Sequence, residues 1–124
     1  MRTSLGMVRG LGSAKNGTEH FWAQRVTAVA LVPLAVWFMA SLVALSAADH
    51  AALVGFLKAP VPLITMLLFL ATGFYHLRLG VQVVIEDYVK DEGVKLAMLL
   101  GNTFFCVAVG VSALVATLKI SFGA

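Results

Sequence analysis

Charge is the scarcest property of this chain. Asp, Glu, Lys and Arg together make up 12% of its 124 residues, about half the ~25% typical of a soluble domain. Cysteine occurs once, as Cys106. That excludes a disulfide framework within the chain and leaves no thiolate set for an iron–sulfur cluster; Cys106 itself reads as a small buried hydrophobe. No nucleophile–base pair and no CxxC motif occurs. "GLGSAKNG" has glycines but neither the spacing of a phosphate-binding loop nor a strand before it. The pI of about 9.4 comes from positive charges that flank oily segments. A nucleic-acid-binding role is excluded because there is no soluble surface to carry a basic patch.

What the chain does have is apolar length. Hydrophobic residues make up 60% of it, and the mean hydropathy is +0.96. Three stretches carry no Asp, Glu, Lys or Arg: Val26–Ala48 (23 residues), Ala59–Leu77 (19) and Leu96–Leu118 (23). A bilayer core of ~30 Å takes ~20 apolar residues as a helix, and in lipid the backbone must satisfy itself, so each stretch reads as a spanning helix. The expected fold is an all-α membrane protein with three transmembrane helices, one part of a heteromeric bundle. The helices are expected at about 21–46, 61–85 and 94–119, within a single domain over residues 21–124. "NGTE" (residues 16–19) offers turn and N-cap chemistry before the first, and Pro33 is expected to kink it. "AADHAALVGFLKAP" reads as a short, mildly polar link, and "EDYVKDEG" as the second turn.

Residues 1–20 hold Arg2, Arg9 and Lys15 against one acid, Glu19, with no apolar core of signal-peptide length before Phe21. They are expected to form a mature arm facing the cytoplasm from a bacterial inner membrane. Loop charges agree. Arg2, Arg9, Lys15, Arg25, Lys90 and Lys95 fall on one side of the three spans, and Lys58 and Lys119 on the other. An excess of Lys and Arg marks the cytoplasmic side, so the N-terminus is expected inside and the C-terminus outside.

One segment departs from the oily pattern: "HLRLGVQVVIEDYV", residues 76–89. His76 precedes Glu86 by ten residues, about 15 Å at a rise of ~1.5 Å per residue. That puts an imidazole near mid-bilayer, where a polar group is costly and marks a functional site by default. It suits a haem ligand, a proton relay or an interhelical hydrogen bond. Gly73, Gly80 and Asp87 fall near its azimuth, with Thr72 one turn away. Small residues there leave room for a flat macrocycle, or equally for close helix packing. His20 and His50 lie near opposite membrane boundaries, so a second axial ligand to one haem would have to come from another chain. Arg78, about 200° round the helix, points away from His76 and is expected to snorkel toward headgroups or to reach Glu86. Arg25, just inside the boundary, calls for an anion, either a haem propionate or a lipid phosphate. Asp87 and Tyr88 sit at the membrane edge. A tyrosine hydroxyl at an oily entrance suits a quinone carbonyl, and it also suits the ordinary aromatic belt.

Taken together, "H-x3-G-x6-D-Y" (His76, Gly80, Asp87, Tyr88) at the end of the second span, and "NG-x2-HF-x3-R" (Asn16, Gly17, His20, Phe21, Arg25) before the first, resemble a known family. They are similar to the smaller of the two hydrophobic membrane anchors of succinate dehydrogenase (respiratory complex II). The resemblance covers nearly the whole chain. It implies that His76 is an axial ligand of a haem b shared with a second membrane anchor. It implies that Tyr88, beside Asp87, hydrogen-bonds ubiquinone and that Arg25 lies near the haem propionates. It also implies an iron–sulfur subunit and a flavoprotein as partners that deliver electrons from succinate. The same architecture run in reverse would anchor a quinol:fumarate reductase. A structural or transport subunit without haem is the reading from a different class.

Overall fold

The computed structural model describes residues 16–123, with side chains from Thr18 onward. The backbone forms four helices among these residues and no strand: α1 (Asn16–Ala44), α2 (His50–Lys58), α3 (Pro60–Tyr88) and α4 (Glu92–Phe122). Three are long and apolar enough to cross a membrane: α1 from Thr18, α3 and α4. The expected arm falls mostly on residues 1–15, outside the described residues.

Local chemistry sets the ends. Asp49 caps α2, its carboxylate accepting from the Ala52 N–H at 2.9 Å. Asp91 caps α4 by accepting from Gly93 and Val94 at 2.9 and 3.1 Å. Glu92 in the first turn of α4 and Lys119 in its last oppose the ends of the helix dipole favourably. Pro60 opens α3, where a missing N–H costs nothing. Pro33 lies inside α1 and does not end it.

Several boundaries differ from the sequence expectation. α1 begins at Asn16, so Thr18 and Glu19 are helical and do not form the turn before it. The link between the first two spans contains the nine-residue helix α2, whose Leu53, Phe56 and Leu57 recur at helical spacing. α3 runs to Tyr88, so the Asp87-Tyr88 pair belongs to the last helical turn of a span and not to a loop.

α3 is the centre of the bundle. It packs against α1 on one flank and α4 on the other, while the backbones of α1 and α4 do not approach each other. Phe38 of α1 stacks on Phe69 of α3, with centroids 4.6 Å apart. Trp37 stacks on Phe56 of α2. The buried residues lie along these seams: Leu63, Leu79 and Ile85 on α3, and Cys106, Gly110, Thr117 and Ser121 on α4. Large apolar side chains face outward instead; Val29 and Phe122 are 72% and 77% exposed. In water such a surface would aggregate; in a bilayer it is the lipid-facing coat. Hydroxyls are kept out of lipid by bonding back to carbonyls one turn earlier, as Thr65 does to Val61 and Ser112 to Ala108.

Gly110 lets α4 approach α3. A Cβ at Gly110 would lie 3.3 Å from Cβ and Cγ of Phe74, whereas one at Gly101 would meet nothing within 4 Å. Both substitutions gain helix propensity, by up to ~1 kcal/mol. Only Gly110→Ala adds overpacking, at ~1–3 kcal/mol. Gly110→Ala is therefore expected to unfold in detergent at a lower temperature than Gly101→Ala. Equal melting temperatures would mean that Phe74 swings aside freely.

Candidate site between the first and third helices

α1 and α3 run antiparallel in a regular register. Thr27 lies opposite His76, Gln24 opposite Gly80 and Leu31 opposite Gly73. Carried to the end of the pair, that register sets Asp87 and Tyr88 level with the first turn of α1. The segments that carry the two sequence motifs therefore lie along one interface.

His76 is half-buried in this interface. Its Nδ1 lies 2.8 Å from Thr27 Oγ1. Its Nε2 makes no hydrogen bond to a described residue. Two further polar side chains share the α1 face with Thr27. His20 Nε2 and Gln24 Oε1 are buried and have no hydrogen-bond partner among the described residues. His20, Gln24 and Thr27 are spaced at i, i+4 and i+7, one stripe along a helix. Reading the sequence residue by residue misses Gln24 and Thr27; the polar periodicity inside an apolar span is the signal available.

The glycines on the His76 face serve helix packing. A Cβ at Gly80 would sit 3.6 Å from Gln24, and one at Gly73 would sit 3.9 Å from Leu31. Both are filled by α1, so the space beside them is not an open cradle. His20 lies seven residues from Thr27 along α1, about 10 Å at the helical rise. It cannot share one iron with His76.

Arg25 lies deeper than its place in the sequence suggests. With α1 starting at Asn16 it is nine residues into the helix, and by the register it is within about one turn of the depth of His76. It is two residues from Thr27, about 160° round α1, so the structure does not bring it to the His76 face. Its guanidinium rests over the Phe21 ring, 4.9 Å from the centroid, and has no carboxylate partner among the described residues.

Arg78 does not reach Glu86. It faces α4, where its Nε donates to Thr103 Oγ1 at 3.3 Å. Asn102 Nδ2 donates to the Arg78 carbonyl at 3.0 Å, and Asn102 Oδ1 lies 3.5 Å from Cys106 Sγ. Glu86 is eight residues further on, about 12 Å along the axis, and is held instead by Gln82 Nε2 at 2.9 Å. Asp87 makes no hydrogen bond among the described residues, and Tyr88 is 79% exposed. Both acids stand at the C-terminal end of α3, where the helix dipole disfavours negative charge.

Residues 1–110 match the family model described as succinate dehydrogenase/fumarate reductase transmembrane subunit. The chain is 33% identical over 115 residues to the succinate dehydrogenase hydrophobic membrane anchor subunit of Rickettsia bellii, covering 93% of this chain and 92% of that protein. It is equally similar to the subunit of the same name from Paracoccus denitrificans, 33% over 115 residues, covering 93% and 88%. The Rickettsia conorii subunit is 31% identical over 106 residues, 85% and 84% of the two chains. No solved structure matches the chain. With three membrane-spanning helices and relatives matched over almost their whole length, the chain belongs to the family of succinate dehydrogenase/fumarate reductase transmembrane subunits, as a hydrophobic membrane anchor.

Proposed function

We propose that this chain anchors a succinate:ubiquinone oxidoreductase in the bacterial inner membrane, supplies one axial ligand to a haem b shared with a second anchor subunit, and forms part of the quinone-reduction site. One observation carries the haem reading. His76 lies in a helix long and apolar enough to cross the membrane, with one ring nitrogen held by Thr27 and the other without a partner among the described residues. A purely structural interhelical bond would need only the first nitrogen. The donor set fits a haem iron, which an imidazole binds through one nitrogen while the other is hydrogen-bonded. The chain offers one such ligand, so the other comes from the partner anchor.

When bound, the haem supplies a one-electron redox centre inside the bilayer. The chain's residues hold its surroundings. His76 would hold the haem iron. Arg25 stands at about the same depth, turned about 160° round α1 from Thr27, and would offer a cation to the propionates from that side of the helix rather than from the His76 face. Asp87 and Tyr88 mark the cytoplasmic edge. Two carboxylates at the negative end of a helix dipole each cost ~0.3–1 kcal/mol. Glu86 recovers part of that through Gln82; Asp87 does not, which fits a role for Asp87 toward the quinone or its protons. Tyr88 presents its hydroxyl to the quinone carbonyl from an exposed position. With one cysteine the chain has no thiolate set for a cluster, so an iron–sulfur subunit and a flavoprotein would complete the path from succinate.

The visible absorption spectrum of the purified complex tests this reading. A dithionite-reduced low-spin b-type spectrum is expected, and a complex without haem overturns it. Orientation is tested separately. A reporter active only outside the cytoplasm, fused after Ala124, is expected to be active, because Lys and Arg cluster on the N-terminal side. Activity of a cytoplasm-only reporter at that position would place Tyr88 on the wrong side for electrons arriving from the cytoplasm.

A further inference from the structure

The hydrogen bonds around Thr27 assign a proton to His76 Nδ1. Thr27 Oγ1 carries one proton. It lies 2.7 Å from the Ala23 carbonyl oxygen and 3.1 Å from that of Gln24. Neither carbonyl has a proton to give, so at these distances the hydroxyl donates to them, as threonines in helices do. With that proton committed, the 2.8 Å contact to His76 Nδ1 requires its proton from the imidazole. Nδ1–H donates and Thr27 Oγ1 accepts. A neutral imidazole protonated at Nδ1 carries its lone pair on Nε2, the nitrogen that makes no hydrogen bond to a described residue.

We propose that Thr27 is the positioning residue of the haem ligand: by accepting from Nδ1–H it fixes the tautomer and ring orientation that leave the Nε2 lone pair free to bind the iron. The proposal rests on the haem reading above and adds to it. Thr27 is itself well placed for the task. Its Oγ1 is tied to the backbone of α1 by the Ala23 and Gln24 carbonyls, so the acceptor cannot drift with a loose rotamer. Hydrogen-bond partners of ligating histidines strengthen the bond to the metal. A more strongly donating ligand favours oxidised over reduced iron and lowers the midpoint potential.

The experiment compares Thr27→Val and Thr27→Ser in the assembled, purified complex. Valine keeps the branched shape and removes the acceptor; serine keeps the acceptor. Haem content, the midpoint potential and the low-spin electron paramagnetic resonance signal are measured. Loss of a partner to a metal ligand typically costs ~10–100-fold in affinity. A tenfold loss confined to the oxidised iron raises the potential by ~59 mV for one electron. Thr27→Val is expected to raise the potential by about that amount and to alter the resonance signal. Thr27→Ser is expected to keep both near the parent. A Thr27→Val complex with the parent's potential and signal overturns the proposal, as does a Thr27→Ser complex shifted as far as the valine variant. His76→Ala separates the two levels of the argument. If the parent holds no haem, or keeps it unchanged in His76→Ala, the haem reading fails and the proposal with it. If haem depends on His76 and is indifferent to Thr27→Val, only the positioning role fails.

Discussion

A complex carrying His76→Ala is expected to lose its low-spin haem spectrum, with haem retention falling by more than the ~10–100-fold that follows loss of a ligand's hydrogen-bond partner. The effect on this chain's own fold is expected to be small by comparison. Within the chain, His76 makes one hydrogen bond, to Thr27. Interhelical side-chain bonds in membranes average ~0.6 kcal/mol. Thr27 keeps its bonds to the Ala23 and Gln24 carbonyls, so the substitution leaves no new orphan on α1. These magnitudes separate the two uses of the histidine. A structural hydrogen bond predicts a slightly less stable chain and no spectral change. A ligand predicts a chain that still inserts, a missing haem band and a weakened hold on the partner anchor. Haem extracted and quantified per flavin, alongside the visible spectrum, gives the decision. An unchanged bis-histidine spectrum in the variant would end the assignment of His76.

The spans are readable in the sequence because charge-free runs near the length of a bilayer leave a chain few alternatives. The face of α3 that carries His76 is readable from helical periodicity. What periodicity cannot supply is the identity of the opposing face. Gly73 and Gly80 permit either a macrocycle or a close helix; only the antiparallel register, with Leu31 and Gln24 against them, decides for the helix. Thr27 is hidden for the same reason, since its partner lies 49 residues away and a threonine in a helix usually satisfies itself locally. Arg78 misleads because its nearest acid in the sequence looks like the natural partner. The polar side chains it meets, Thr103 and Asn102, come from α4. Helix α2 escapes notice because nine residues between two stronger hydrophobic signals read as a link, although Asp49 caps it. The depth of Arg25 depends on where α1 starts, a boundary that neither composition nor charge fixes.

Tyr88→Phe is expected to lower quinone-linked turnover far more than it lowers quinone affinity. The change removes one hydroxyl and keeps the ring. Tyr88 is 79% exposed on the last turn of α3, and its hydroxyl bonds no described residue, so packing within the chain has little to lose. A lost hydrogen bond to a neutral carbonyl is worth ~0.5–1.5 kcal/mol, roughly 2- to 12-fold in affinity at 1.4 kcal/mol per tenfold. Donors aimed at charge that develops during reaction are worth more, ~10²–10³ in turnover for a well-placed one. An exposed tyrosine at a membrane edge falls toward the lower end of that range, so a loss of about 100-fold in turnover is the upper expectation. Succinate oxidation with a soluble acceptor, haem content and assembly serve as internal controls, because Tyr88 is proposed to touch none of those sites. Comparable small losses in affinity and turnover would limit Tyr88 to holding the ground-state quinone. Parent-level values for both, in an intact complex, would reduce Tyr88 to an interfacial aromatic. Asp87 would then be the residue on this chain left to test at the quinone edge, by Asp87→Asn in the same assays.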